Sequence, residues 1–264
     1  MNTISEYVNL IAGSVRQDRS KSIAPNIPES TPERIRRAAM ELAQAGITTI
    51  PDFLPQEECD NLRAKIENQI SNLTETTTIA DDVTVSFRGG SKPARRYRNA
   101  VNVDLGMIDM FDADRAVSEL TAIKEDTMIR DILTLATGRE LIPSRLNIYI
   151  NRSVTSTRGY HMDSGALQFK AFVYLTDVND LEDGPYSFIK RSHRFSTRKY
   201  LNITQNLMSG YHLTEMSNGN PADVVHALAP RGTLIISDQN GWHRGLPQTD
   251  GRSRMLISIS FLPR

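Results

Sequence analysis

Hydrophobic positions recur with a helical period in the first half of the chain and with a strand period in the second. Over residues 31–46, apolar side chains lie three or four positions apart and Gly46 closes the run, so we predict a helix there. A second helix is predicted from Pro55 onward, and a third over residues 117–137. The short apolar run at 47–50 predicts a strand between the first two helices.

The second half of the chain predicts a β-rich core. Runs of β-branched, aromatic and aliphatic residues are separated by Gly, Pro, Asn and Asp, which is typical of antiparallel strands joined by turns. The predicted strands cover residues 146–150, 169–175, 233–236 and 255–259. Helices followed by a mostly antiparallel β region favour two packed sheets with helices around them. We therefore predict a mainly β, jelly-roll-like fold with flanking helices.

The domain organisation is predicted to be simple. Residues 1–30 have only weak apolar positions among Ser, Asn and Pro, and we expect them to form a partly ordered N-terminal arm. Residues 31–264 are expected to form a single domain, since β-rich domains of this size commonly fold as one unit. Residues 74–103 are polar and rich in turn-forming residues, and this stretch and residues 198–230 are expected to line the entrance to the barrel.

Composition excludes several classes of protein. Lys+Arg and Asp+Glu are balanced at 31 each, so no overall field favours nucleic acid or an anionic membrane. The single cysteine, Cys59, excludes an internal disulfide framework and a multi-cysteine metal site. The first residues lack a secretory pattern, and no apolar run is long enough to span a bilayer. We expect a cytoplasmic protein without nucleic-acid or membrane partners, and the sequence indicates no particular oligomeric state.

The clearest chemical pattern is the pair His161 and Asp163 with a distal histidine, His243. In an extended segment, residues two apart point to the same side, so His161 and Asp163 can reach one ion from a single strand end. His243 comes shortly before another predicted strand and is the best candidate for the third ligand. Two histidines and one carboxylate form the facial triad that holds Fe(II) and leaves the opposite coordination positions open. These three residues are our predicted metal ligands and catalytic centre.

Several segments around this pattern match a known family. They are residues 52–54, 173–178, 183–185, 192–193, 243–245 and 252–256. Together with His161-X-Asp163, they resemble the phytanoyl-CoA dioxygenase-like family of Fe(II)/2-oxoglutarate-dependent oxygenases. The resemblance covers most of residues 32–264 and is weak over 74–135 and 198–230. It implies a double-stranded β-helix, the cupin-like form of the jelly roll.

The resemblance also implies an activity. Members of the family bind Fe(II), use 2-oxoglutarate and O2 as co-substrates, and oxidise an unactivated C–H bond of a small molecule with release of succinate and CO2. Hydroxylation is the expected outcome, although the same chemistry serves desaturation, cyclisation and epoxidation. Asp163 fills the position that related halogenases leave empty, so halogenation is not expected. Two alternatives stay open, namely a non-catalytic barrel that binds a metal or ligand, and a metal-dependent enzyme that does not use 2-oxoglutarate.

The family's co-substrate site predicts further residues. An arginine shortly after the distal histidine binds the far carboxylate of 2-oxoglutarate, because a planar guanidinium can donate two parallel hydrogen bonds to it. Arg254 is favoured because it begins the final predicted strand, whereas Arg252 lies in the preceding turn and is the alternative. Asn147 and Tyr149 share one face of an earlier strand and are predicted to contact 2-oxoglutarate. A wet outer sheet face would explain these two residues equally well.

Two other features have both a functional and a structural interpretation. Residues 87–98 carry five positive charges, which predicts either a lid that contacts an anionic group of the substrate or a solvated loop. His193 follows Ser192, and the family's similar histidine is generally structural. We expect the same role for His193, with substitution for a metal ligand as the alternative.

Overall fold

The computed structural model describes residues 3–21, 25–80, 82–88, 103–217 and 223–264. The helices are α1 (Ile4–Lys21), α2 (Glu33–Ala45), α3 (Gln56–Ile70), α4 (Leu120–Lys124), α5 (Thr127–Thr137) and α6 (Thr197–Ser209). The strands are β1 (Ile47–Ile50), β2 (Thr77–Ala80), β3 (Val83–Phe87), β4 (Met107–Phe111), β5 (Leu141–Arg152), β6 (Phe169–Tyr174), β7 (Tyr186–Ile189), β8 (Val224–His226), β9 (Leu234–Asp238), β10 (His243–Gly245) and β11 (Ser253–Pro263). Among these described residues, none of the helices combines the length and the apolar composition that crossing a bilayer requires.

The helix predicted over residues 31–46 is confirmed as α2. Pro32 precedes its first turn, and Gly46 ends it in the left-handed conformation, with φ of 83°. The Gly46 N–H donates to the carbonyl of Leu42 at 2.9 Å, which satisfies one of the carbonyl groups left open at the helix end. The chain then enters β1, so the strand predicted at 47–50 is confirmed as well.

The helix predicted over residues 117–137 is divided into α4 and α5. Asp126 lies between them, and its side chain accepts a hydrogen bond from the Ile129 N–H at 3.0 Å, which caps the start of α5. Both helices pack their apolar residues into the same core. The apolar spacing therefore continues across the break, and the pattern alone predicts one helix where there are two.

The predicted N-terminal arm, residues 1–30, contains the helix α1. The Tyr7 hydroxyl lies 3.0 Å from the Thr204 hydroxyl of α6. Gly13 faces Gly165 so closely that a Cβ at Gly13 would lie 2.7 Å from the Gly165 carbonyl oxygen. Helix α1 is therefore docked on the rest of the protein, which the weak apolar pattern of the segment does not predict.

The strands form two sheets that pack face to face. The large sheet has the order β1-β9-β6-β11-β5-β4-β3-β2, and the small sheet has the order β10-β7-β8. Neighbouring strands are antiparallel throughout the part of the chain that the structure describes. On β11, Ile257 packs towards the helices, whereas Leu256 packs towards the small sheet. This is the mainly β arrangement of a double-stranded β-helix with flanking helices.

A hairpin of β2 and β3 occupies part of the stretch 74–103, where the sequence predicts no regular element. Val83 and Val85 of β3 are fully buried on one face of the large sheet. Buried and less buried residues do alternate along β3, but only over a few positions. Polar and turn-forming residues surround this short segment, so the sequence pattern does not indicate a strand.

Helix α6 is also unpredicted, at the start of the stretch 198–230. Its buried face includes Asn202 and Asn206, whose side-chain amides donate to the Glu215 carbonyl at 2.6 and 2.7 Å. Buried amides with hydrogen-bond partners are stable, yet in sequence they look like exposed positions. The apolar periodicity that identifies a helix is therefore interrupted.

Candidate metal centre

The backbones of His161 and His243 are hydrogen-bonded to each other. The His161 N–H donates to the His243 carbonyl at 3.0 Å, and the His243 N–H donates to the His161 carbonyl at 2.9 Å. Residues that exchange both hydrogen bonds in this way are directly opposite in an antiparallel pair, so their side chains lie on the same side. The ring centroids are 4.6 Å apart. A short bridge between two distant segments thus brings the two imidazoles together.

Both imidazole rings are oriented by backbone carbonyl groups. Nδ1 of His161 lies 2.8 Å from the Gly159 carbonyl, and Nδ1 of His243 lies 2.9 Å from the Gly241 carbonyl. A carbonyl can only accept, so each Nδ1 carries the proton and each neutral ring offers its Nε2 lone pair. Burial, with the neighbouring His243 ring as a second cause, holds the pKa of His161 well below its usual range. The neutral form that binds a metal is therefore favoured.

Asp163 completes the group. Its N–H donates to the Gln239 carbonyl at 3.0 Å, which fixes the backbone next to the segment that leads to His243. Its Oδ1 lies 3.7 Å from Nε2 of His161 and 3.6 Å from Nε2 of His243. Two atoms that each bind one metal at about 2.1 Å can be up to about 4.2 Å apart, so both separations fit a shared ion.

The other oxygen of Asp163 belongs to a buried ion pair. Nζ of Lys170 lies 2.6 Å from Oδ2, while a guanidinium nitrogen of Arg158 lies 3.7 Å from Oδ1. Burial alone would raise the pKa of Asp163, but the positive charge of Lys170 outweighs it and holds that pKa well below its usual range. Burial would lower the pKa of Lys170, yet Asp163 raises it overall. Both groups are therefore charged at neutral pH.

The loop that carries Asp163 is joined through Asn240 to the turn that precedes His243. The Asn240 side-chain amide donates to the Ser164 carbonyl at 3.2 Å. Lys199 of α6 donates to the carbonyl and the side-chain oxygen of Asn240 at 2.8 and 2.9 Å. This buried contact fixes the spacing of the two loops.

A cavity of about 170 Å³ lies against these side chains, between the two sheets. Its lining comprises Arg88, Asp104, Met107, Tyr149, Asn151, Thr157, Arg158, His161, Asp163, Lys170, Phe172, Tyr186, Gln239, His243, Gly245, Arg254 and Leu256. A larger and more open groove of about 1040 Å³ runs beside α1, but none of the three ligand candidates is among the residues that line it. The chemistry-bearing residues therefore converge on the smaller cavity.

Arg254 and Arg252 have different surroundings. Arg254 points from β11 into the cavity, is 5% exposed and donates to the Gly184 carbonyl. Within the described part of the chain its Nε has no hydrogen-bond partner. Burial lowers the pKa of Arg254, but a guanidinium stays protonated at neutral pH. Gly245 is adjacent, and a Cβ there would lie 3.2 Å from the guanidinium. The cavity therefore contains a buried cation that has donors to spare.

Arg252 instead lies in a cluster of carboxylates. Its guanidinium nitrogens are 3.7 Å from Asp180, 3.2 Å from Glu182 and 3.2 Å from Asp183. It does not line the cavity. Of the two arginines considered from the sequence, only Arg254 lines the cavity that also contains the three ligand candidates.

The two predicted residues of β5 also differ. Tyr149 lines the cavity, whereas Asn147 does not, because its side-chain oxygen accepts a hydrogen bond from the Asp112 N–H at 3.2 Å. Asn151, two positions beyond Tyr149 on the same face, lines the cavity instead and is opposite Arg254 in the sheet. Its side-chain oxygen has no partner within the described residues.

Asn151 and Lys170 are two polar cavity residues outside the predicted set, since the sequence pattern does not single out Asn151 and leaves the direction of the strand face of Lys170 open. The signal for Asn151 was the continuing alternation of β5, with a polar residue at every second position. Lys170 offered only a polar residue on a strand face of unknown direction. Its contact with Asp163 depends on the bend of the chain between the two residues.

The remaining predicted features are placed as follows. His193 is buried beside Gly46 and does not line the cavity. Of the basic segment 87–98, Arg88 lines the cavity and pairs with Asp109, while residues 89–98 lie outside the described part of the chain. No described residue of the stretch 198–230 lines this cavity.

The fold matches several solved structures. No family model matches the chain, and no curated protein matches it by sequence. The non-heme alpha-ketoglutarate-dependent epimerase SnoN from nogalamycin biosynthesis is 15% identical, with 87% of this chain and 83% of that chain covered and a TM-score of 0.62. HygX from Streptomyces hygroscopicus, with nickel and 2-oxoglutarate bound, is 14% identical, with coverages of 86% and 87% and a TM-score of 0.60.

A third similar structure is the alpha-ketoglutarate-dependent carbocyclase SnoK from nogalamycin biosynthesis. It is 16% identical, with 92% of this chain and 86% of that chain covered and a TM-score of 0.56. At these identities the similarity establishes the fold. The chain thus shares the fold of alpha-ketoglutarate-dependent enzymes such as SnoN and SnoK.

Proposed function

We propose that this protein is an Fe(II)- and 2-oxoglutarate-dependent dioxygenase, similar to the phytanoyl-CoA dioxygenase-like family, that hydroxylates an unactivated C–H bond of a small molecule. One observation carries the proposal. The side chains of His161, Asp163 and His243 converge on one side of a cavity that also contains the buried guanidinium of Arg254. A metal-binding triad and a carboxylate anchor in one enclosed space are the two parts that this chemistry requires.

The donor set fits iron. His161 and His243 offer neutral Nε2 atoms, and Asp163 offers one carboxylate oxygen, so three protein ligands leave other coordination positions free. Iron(II) held there would let O2 oxidise both 2-oxoglutarate, which becomes succinate and CO2, and a C–H bond of the substrate. The crystal structures of SnoN with Fe3+ and alpha-ketoglutarate and of HygX with iron support this choice of metal and co-substrate.

The chain's own residues position the reactants. Arg254 would pair with the far carboxylate of 2-oxoglutarate in a site shielded from water, where a charge-assisted bidentate contact is strong. Asn151 lies opposite Arg254 and offers a side-chain amide to the same ligand. Phe172, Tyr186 and Leu256 form an apolar wall that excludes water from the reacting bond.

The proposed substrate is a small molecule, and an anionic group on it would meet Arg88 or Arg158 on the cavity lining. SnoN and HygX have been crystallised with nogalamycin RO and hygromycin B, which supports a small-molecule substrate here. SnoN is an epimerase and SnoK a carbocyclase. Epimerisation or ring closure is accordingly the second candidate outcome, since the same site would serve it.

Anaerobic titration of the Fe(II)-loaded protein with 2-oxoglutarate tests the proposal. We expect the visible charge-transfer band of an Fe(II)–2-oxoglutarate chelate, and succinate formation once O2 is admitted. Arg254→Ala should weaken the band far more than Arg252→Ala. Bound iron without a band would rule out the use of 2-oxoglutarate, and a band without any succinate would favour a non-catalytic binding protein.

A further inference from the structure

Lys170 is held firmly in the middle of the large sheet. It lies on β6, between Ser260 of β11 and Ser237 of β9 in the register of the strands. Its side chain is only 17% exposed and its ammonium contacts Oδ2 of Asp163 at 2.6 Å. A charged lysine in such a place needs a counter-ion, and the carboxylate it uses is a candidate metal ligand.

The two oxygens of Asp163 face different partners. Oδ1 faces Nε2 of His161 and of His243 at 3.7 and 3.6 Å, whereas Oδ2 faces Lys170. Asp163 itself lies in a bend and not in a strand, so the sheet does not fix its side chain. Arg158 lies 3.7 Å from Oδ1, and the shorter contact, from Lys170 at 2.6 Å, holds Oδ2.

The orientation of the carboxylate decides how many coordination positions stay open. A carboxylate can bind a metal through one oxygen or through both. In a six-coordinate site with three protein ligands, a chelating 2-oxoglutarate takes two of the remaining positions and leaves one for O2. If Asp163 used both oxygens, it would occupy a position that the co-substrates need.

We infer that Lys170 is a positioning residue of the metal centre, which holds Oδ2 so that Asp163 binds the metal through Oδ1 alone. The inference rests on the proposed function. Lys170 lies behind the ligand, fixes its direction and keeps the adjacent positions free for 2-oxoglutarate. Ligand carboxylates are commonly oriented by hydrogen bonds of this kind, and losing such a partner typically weakens metal binding about 10–100-fold.

A purely electrostatic role makes the opposite prediction. A fixed positive charge beside the ligand repels a divalent cation and offsets the charge of Asp163. If that were all Lys170 did, its removal would make metal binding tighter. The sign of the change in metal affinity therefore separates positioning from charge compensation.

The experiment compares Lys170→Met, Lys170→Arg and a matched control. Lys124→Met is the control, because Lys124 and Asp114 form a similarly buried pair outside the cavity, 2.8 Å apart with side chains 18% and 12% exposed. Ni(II) is titrated into each metal-free protein by calorimetry, and 2-oxoglutarate is then titrated into each Ni(II)-saturated protein. Thermal unfolding of the metal-free variants reports any general loss of stability.

We expect Lys170→Met to bind Ni(II) about tenfold more weakly or worse, and to bind 2-oxoglutarate more weakly even when saturated with Ni(II). Lys170→Arg, which keeps a cationic donor, should recover most of both affinities, and Lys124→Met should change neither. Ni(II) affinity in Lys170→Met that equals or exceeds that of the wild type overturns the inference. A wild-type protein that binds no Ni(II) overturns the proposed function as well.

Discussion

Gly13 of α1 and Gly165 approach each other so closely that neither position has room for a side chain. A Cβ at Gly13 would lie 2.7 Å from the Gly165 carbonyl oxygen, and a Cβ at Gly165 would lie 2.7 Å from the Leu10 carbonyl oxygen. Gly165 follows shortly after Asp163 in the chain. The contact therefore joins the N-terminal helix to the segment that carries a candidate metal ligand.

Gly13→Ala tests this contact. In an unpacked helix alanine is more stable than glycine by about 1 kcal/mol, but here the added methyl group should lower the free energy of unfolding by about 1–3 kcal/mol. Urea denaturation measures the change. Asn9→Ala, at an exposed position of the same helix, is the control and should leave stability unchanged or raise it slightly. A gain of stability in both variants would show that α1 is not docked this closely.

Each of the three ligand candidates should be needed for metal binding. Alanine substitution of His161, Asp163 or His243 should weaken Ni(II) binding by more than the about 10–100-fold typical of an outer-shell loss. His193→Ala is the control, since this buried histidine lies outside the cavity; it should lower stability and leave the affinity unchanged. Equilibrium dialysis measures the Ni(II) affinity of the ligand variants and of the control, and urea denaturation measures the stability of the control. Retention of metal by any one ligand variant would remove that residue from the set.

Arg254 and Arg252 form a matched pair for the co-substrate. Arg254→Lys keeps the positive charge but loses the planar, bidentate geometry, so 2-oxoglutarate binding to the Ni(II)-loaded protein should weaken by about 1.5–3 kcal/mol. Arg252→Lys alters a partly exposed ion-pair cluster and should change the free energy of 2-oxoglutarate binding by less than about 1 kcal/mol. Calorimetry gives both values. Equal effects would mean that Arg254 does not anchor the ligand.

The metal-free protein should lose stability on acidification. Burial depresses the pKa of His161, so near pH 6 the unfolded chain takes up a proton that the folded protein does not. Stability should therefore fall as the pH drops below about 6.5, and fall further near pH 4 as Asp163, whose folded pKa is also depressed, is protonated in the unfolded chain. Urea denaturation between about pH 8 and pH 3.5 measures the trend. His161→Gln should flatten the step near pH 6, and an unchanged step would assign it to another group.

Cys59 should be unreactive in the folded protein. Burial raises the pKa of its thiol to about 11, and the side chain is completely inaccessible. Because the thiolate is the reactive form, an aromatic disulfide reagent at pH 8 should label almost none of it. Adding denaturant should expose one thiol per chain. Rapid labelling without denaturant would show that α3 opens easily.

The raised pKa of the Cys59 thiol also means that the stability of the fold should decline above about pH 8.5, where the thiol of the unfolded chain ionises.

The sequence predicts the ligand candidates better than the cavity around them. His161 and Asp163 are two apart in an extended segment, and that spacing alone places them on one side. The partner of a strand residue depends on register, which the sequence does not show. Asn147 and Asn151 therefore look equivalent on one strand face, although only Asn151 is opposite Arg254.

The fold, like the site, can be predicted from the sequence only in part. Elements with a continuous apolar period, such as α2 and β11, can be predicted together with their buried faces. Helix α6 cannot, because Asn202 and Asn206 occupy its buried side and satisfy carbonyl groups there. Helix α1 cannot either, because its docking relies on the absence of a side chain at Gly13.

Hydrogen bonds between backbone groups pair His161 with His243 and Asp163 with Gln239. Ordering a residue costs about 1–2 kcal/mol of conformational entropy, and here that cost is met by hydrogen bonds of the fold itself. We therefore expect the fold to form without the metal, so that the free energy of metal binding appears as binding affinity. Small zinc domains differ, because they fold only when the metal is bound. For the proposed oxygenase, we expect a chelator to remove the metal and leave a folded protein that regains activity when iron is returned.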